Sequence, residues 1–294
     1  MANTLGTVAT AAISQETLKA LLEELSWLTS LSTTYSDSQV SKGQNLILRV
    51  PSVGTAQDFS SGTGYVAEDA TLTDATITLD QHKFAGYAVT DAERDSSLIN
   101  LVDAWANANA HALGKSVVEY IIAALVSAGT SNTSVIAAGS FGLDDLIDVG
   151  SAMDADNIPT GGRWALIPPA YHAALEKDIG TTGNFGNSTF SVDATITNGA
   201  LGQLRGFQIY KSSLTTNLYF GVKETVGVLT AVPALPEVGN TGGDISYVVE
   251  PNSGLTVQSR SHYDNTLAQL NNILTLYFGA SVLRSDTLHE VTPS

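Results

Sequence analysis

The sequence predicts an α+β fold. Three observations carry that expectation: one uninterrupted helical run in mid-chain, short apolar strands on either side of it, and long polar loops between them. Residues 1–12 are small, polar and uncapped, and read as a flexible arm. Leu18, Leu21, Leu22, Leu25 and Leu28 then recur at helical spacing and give a short helix one oily stripe that must dock on something. Leu21 and Leu25, at the centre of that stripe, are candidate contacts to a neighbouring molecule.

Asn45 to Val50 is strand-like and stops at Pro51. Residues 52–72 are rich in Gly, Ser, Thr and Asp, too long and too polar for an ordinary turn. Ala75 to Asp80 alternates with a period of two, and Phe84 to Val89 continues extended. Residues 45–89 therefore read as a long two-stranded excursion with a mobile tip. Arg49, Asp58 and Lys83 are its charged candidates for contact with other subunits.

Thr90-Asp91-Ala92-Glu93 fits a capping box, in which threonine and glutamate satisfy each other's backbone amides at a helix start. The pattern from Leu98 to Val126 is helical and would be ~44 Å long at ~1.5 Å per residue. A second helix is expected from Leu143 to Asp154, with Leu143, Leu146, Ile147 and Met153 facing inward. Trp164 to Ile167 reads as a buried strand, and Pro169 opens a helix ending near Asp178. Phe207 to Tyr210, Leu218 to Val222, Ile245 to Val249, Leu255 to Val257 and Ile273 to Leu283 are the later strands. Residues 180–198 and 233–244 are loops. These elements group into an arm and helix (1–44), the excursion (45–89), a long-helix unit (90–135), a compact α/β unit (136–235) and returning strands (236–294).

Composition removes several functions. The formal charge of −16 argues against gripping duplex DNA through a basic patch. It does not exclude a place near nucleic acid, and between copies of the chain it predicts a repulsion that salt would screen. Zero cysteines remove disulfides and thiolate metal sites. No basic leader precedes the first apolar segment, and no run of eighteen apolar residues is found, so neither an export signal nor a membrane span is expected.

No motif points to a reaction. Gly62-Thr63-Gly64-Tyr65-Val66-Ala67 matches a loose dinucleotide fingerprint but lacks the strand before and the helix after that would aim a pyrophosphate at a helix end. Asp154-x-Asp156-Asn157 lacks the glycine and glutamate of a calcium loop and reads as the polar end of a helix. The histidines at 82, 111, 172, 262 and 289 lie far apart, and no Gly-x-Ser-x-Gly elbow occurs. No catalytic residue, metal or cofactor is expected. Arg163 is read as bonding carbonyls or a carboxylate beside a core-filling Trp164, with an intersubunit role as the other expectation. Glu93 and Arg260 complete the candidate contacts.

Four segments in order resemble one family. They are Thr90 to Glu93 leading into Leu98–Leu125; Asn157-Ile158-Pro159 with Gly162-Arg163 and Pro168-Pro169; Gly206-Phe207-Gln208-Ile209-Tyr210-Lys211-Ser212; and Tyr277-Phe278-Gly279-Ala280-Ser281-Val282-Leu283-Arg284. Together they resemble the major capsid proteins of tailed bacteriophages, the Hong Kong 97 fold. That resemblance implies an N-terminal arm, an extended β loop, a long spine helix in a peripheral domain and an α/β axial domain. It implies pentamers and hexamers of an icosahedral shell around double-stranded DNA, assembled in bacterial cytoplasm and found in the virion. Separate scaffolding, portal and decoration proteins are implied partners, with no membrane. Some relatives join a loop lysine to an asparagine of another subunit; for Lys83 a solvated side chain or an ion pair is the preferred reading. The alternative within the same fold is an encapsulin-type compartment.

Overall fold

The computed structural model describes residues 31–36, 45–51, 58–59, 61–62, 65, 72–96, 101–130, 132–181, 202–231, 243–249 and 256–294. The expected helix at Leu18–Leu28 and the loops 180–198 and 233–244 lie wholly or largely outside these residues. Among the described residues two six-stranded sheets and one two-stranded ribbon carry the fold.

The first sheet is built on β13 (Gln269–Val282), a 14-residue strand formed by the last long apolar run. On one side it pairs antiparallel with β4 (Gln81–Thr90). On the other it pairs with β12 (Thr256–Asp264) and, further along, with β10 (Val226–Ala231). β11 (Gly243–Val249) extends the sheet beyond β12, and β1 (Ser32–Ser36) lies parallel to β10. Two of these placements correct the sequence reading. Residues 81–89 are a strand of this sheet and not part of the excursion. Val226–Ala231, not among the strands expected from the sequence, is a strand buried throughout.

The capping box forms as expected. The Thr90 amide and hydroxyl each donate to Glu93 Oε2 at 2.9 Å, and the Glu93 amide donates to Thr90 Oγ1 at 3.3 Å. It opens a short six-residue helix, α1 (Asp91–Ser96), ahead of the long α2 (Leu101–Ala128). Leu113, Val117, Val118, Ile121, Ile122 and Leu125 of α2 are buried with Leu274, Leu276 and Phe278 of β13. At roughly 1.5–3 kcal/mol per large apolar side chain, this interface dominates the packing of the unit. The stretch His111–Ala128, though interrupted by Lys115 and Glu119, is long and apolar enough to cross a membrane by length and composition. In the fold its apolar stripe is this core.

The second sheet has the order β5 (Asn132–Val135), β14 (His289–Thr292), β9 (Leu218–Val222), β6 (Arg163–Ile167), β8 (Phe207–Lys211), β7 (Gln203–Leu204). β6 is buried on both faces, which explains its unbroken apolar run. Ala165 and Ile167 face α3 (Leu143–Ala155) and α4 (Pro169–Thr181), while Trp164 and Leu166 join the α2 cluster. One core thus runs from the first sheet into the second. On α3 the buried residues are Leu146, Val149 and Met153. Ile147, expected inward, is exposed, because one residue beyond Leu146 turns it about 100° off that stripe. The expected unit boundaries also shift: β5 and β14 belong to the second sheet, and β10 to the first.

Candidate assembly surface

The excursion is a ribbon of β2 (Asn45–Pro51) and β3 (Leu72–Thr78), paired antiparallel from Asn45↔Thr78 to Pro51↔Leu72. Its period of two divides the side chains. Leu46, Leu48 and Ile77 turn toward a small core with Leu79, Leu229 and Tyr277, whereas Ile47 and Arg49 point to solvent. The root of the ribbon therefore rests on the first sheet while its far end stands free of it.

Two glycines make that seat. A Cβ on Gly227 would stand 2.6 Å from Ile77 Cδ1, and a Cβ on Gly279 would overlap the carbonyl of Thr78. Glycine inside a strand marks a place where another chain segment comes close. A further tie comes from α2, where the Tyr120 hydroxyl donates to Asp80 at 2.9 Å, just past β3.

Beyond the seat the ribbon carries apolar side chains in water. Ile47 and Leu72 are more than half exposed. Further out, Tyr65 is 92% exposed and its ring lies 4.8 Å from that of Phe59. Phe84 on β4 is 69% exposed beside His82, whose ring stacks on Tyr277 at 4.2 Å. Tyr263 and Leu267, at the β12–β13 turn, add a smaller exposed patch held in place by the Tyr263 hydroxyl on Asp91 and by Asp264 Oδ1 accepting from the Thr266 amide.

The charged candidates fall in several places. Arg49 pairs with its cross-strand partner Asp74 at 3.7 Å, both exposed, so the pair contributes little to folding. Asp58 is exposed next to Phe59. Lys83 is exposed on the face of β4 that looks toward α2, opposite Leu276. Arg260, half-buried, pairs with Ile273 on the opposite face, and its Nε donates to Gln258 Oε1 at 2.8 Å. Glu93 serves the capping box, and the Thr90 bonds hold its carboxyl below the usual range. Leu21 and Leu25 lie outside the described residues. These side chains do not converge on one site.

Arg163 is the correction. It is 5% exposed and its guanidinium is spent inside its own subunit. Nε donates to Pro159 O at 2.9 Å, Nη2 to Ile158 O and to Asp154 Oδ1 at 2.6 Å, and Nη1 reaches Gly150 O at 3.5 Å. Arg163 thus braces the turn between α3 and β6, and the expectation of an intersubunit contact there is withdrawn. Trp164 fills the core as expected, with its indole N–H donating to Val222 O at 2.9 Å.

Among the described residues no group of three His, Cys, Asp or Glu side chains is placed to hold a metal ion. With its mixed helix and sheet content, the structure matches capsid folds of the Hong Kong 97 type. It is similar to the capsid structure of the cyanophage P-SCSP1u, at 13% identity and a TM-score of 0.65 over 90% of this chain and 86% of that one. A Mycobacterium phage Che8 structure matches at 18% identity and a TM-score of 0.56, covering 85% of each chain. The SrpI encapsulin of Synechococcus elongatus matches at 15% identity and a TM-score of 0.52, over 90% of this chain and 86% of the other. No curated protein sequence matches. Residues 73–285 match the family model described as phage capsid protein. This chain belongs to the phage capsid protein family and is a structural component of the virion shell.

Proposed function

We propose that the chain self-assembles through its β2–β3 ribbon into pentamers and hexamers of a closed icosahedral head around double-stranded DNA. The observation that carries this reading is the ribbon itself. A lone two-stranded ribbon is marginal in water, and this one leaves Ile47, Leu72, Phe59 and Tyr65 exposed beyond its seat. A neighbouring subunit is the cover that these side chains fit. The acidity of the chain suits a container whose wall does not bind its nucleic acid. In this reading the protein acts by geometry and not by catalysis, assembles in the bacterial cytoplasm, works with scaffolding, portal and decoration proteins, and does not engage a membrane.

Negative-stain electron microscopy and light scattering of the protein expressed alone and with a scaffold test the reading. Closed polyhedral shells support it, and nuclease-protected DNA in shells from infected cells supports the head assignment. Shells that instead co-purify with an enzyme cargo would establish the encapsulin-type alternative. Tubes, sheets or monomers under both conditions would overturn the proposal.

A further inference from the structure

The interface between α2 and the first sheet changes character along its length. Tyr120 of α2, itself half-buried, meets Phe278 of β13 edge to face at 5.5 Å, in the apolar part. Helix and strand advance in the same direction from there, since Ala123 and Ser127 line one groove with Ala280 and Val282. Counting back from that contact, the helix reaches Asn109 after about 16 Å and the strand reaches Asn272 after about 20 Å. The two asparagines are therefore level to within about one strand residue. Asn109 stands one helical turn before the buried Leu113, and Asn272 shares the helix-facing side of β13 with Leu274. Ser259, the register partner of Leu274 on β12, faces the same way.

All three side chains carry unmet hydrogen-bonding capacity. Asn109 Nδ2, Asn272 Nδ2 and Ser259 Oγ are sealed from solvent and have no protein partner. Asn272 is 3% exposed and Ser259 0%. Leaving such groups unpaired is costly, and buried groups of this kind are satisfied by internal water when two to four of them converge. We propose that Asn109, Asn272 and Ser259 form an internal water-binding site that fixes α2 in register on the sheet. The bound water accepts from the two amide nitrogens and donates to the serine hydroxyl, so it makes three bonds. One end of the helix interface is then held by directional bonds, the other by apolar packing that would tolerate sliding.

The test combines a high-resolution cryo-EM map of assembled shells with thermal unfolding of full-length variants. The expected result is solvent density between the three side chains, with Ser259→Ala and Asn272→Leu each lowering Tm by about 2 °C or more. Ser259→Ala removes one hydroxyl only, so it remains informative if Asn272→Leu does not fold. A dry layer in the map, or a Tm unchanged or raised by Ser259→Ala, would overturn the site.

Discussion

The carbonyl of Thr78, at the end of β3, rests directly against the Cα of Gly279 in the central strand β13. Any side chain at 279 would meet backbone atoms of Thr78 and Leu79, which cannot rotate away. Gly279→Ala is therefore expected to lift the ribbon root off the sheet, at a cost of about 1–3 kcal/mol. A lower Tm of the subunit with fewer closed shells is the expected outcome. A variant that melts and assembles like the parent would show that the seat is not tight.

Ile47 and Leu72 face water in the single subunit, so changing them should separate folding from assembly. Ile47→Asp and Leu72→Asp are each expected to leave Tm within ~0.5 kcal/mol equivalent of the parent. Shell formation by light scattering should nevertheless fall at least tenfold, because a carboxylate would be buried at the subunit contact. Normal shells from both variants would remove the ribbon from the assembly surface.

Arg163 and Asp154 form one ion pair whose two halves are not equivalent. The arginine is buried and also serves carbonyls of the α3–β6 turn, while Asp154 is mostly exposed. Arg163→Ala is expected to destabilise the fold by about 3 kcal/mol, since it strands buried carbonyls. Asp154→Asn should cost under ~1 kcal/mol. Chemical denaturation of both variants measures the ratio; equal effects would contradict this division of roles.

His172 and His289 give the subunit a pH response. Burial is the main cause holding both below the ordinary histidine range. Glu176, 3.4 Å from His172, works against this while Lys211 adds to it, and Asp156 works against it at His289. In the unfolded chain both titrate near ~6.5. As pH falls through that value the unfolded chain takes up protons first, so the stability present above ~6.5 declines toward the lowered folded-state values. Tm should drop between pH 7.5 and pH 5, and the drop should shrink in His289→Gln, whose amide can still bond Ser134, the present partner of His289 Nε2 at 3.1 Å. A drop of unchanged size in both His289→Gln and His172→Gln would locate the response elsewhere.

The elements with strong local signals were legible in the sequence. The Thr90–Glu93 box, the α2 stripe and the double-sided apolar run of β6 each carry their structure in neighbouring residues. Pairing partners were not. Residues 81–89 look like a continuation of β3, and nothing local says that they pair with a strand that begins at Gln269. Val226–Ala231 holds Gly227 and Thr230 among its apolar residues, which blurs the pattern of a strand whose two faces are both buried. At the candidate surface, composition marked the ribbon but not its seat. The available signal was Gly279 inside an otherwise apolar strand run, a glycine that costs strand stability unless something must come close. Arg163 was legible as a carbonyl-bonding residue and illegible as to which subunit it serves, since burial is a property of the folded chain.

The place of β14 in the second sheet sets a timetable. It lies between β5, which it pairs with in parallel, and β9, yet it is drawn from residues 289–292 while β5 ends at Val135. A nascent chain that has emerged as far as β9 holds an incomplete sheet with β5 unattached. Closure waits for the residues between Val222, the end of β9, and Thr292, the end of β14, to leave the ribosome, and such distant pairings are slow to form. A subunit made this way reaches its finished shape late, only once its last residues are free to pair.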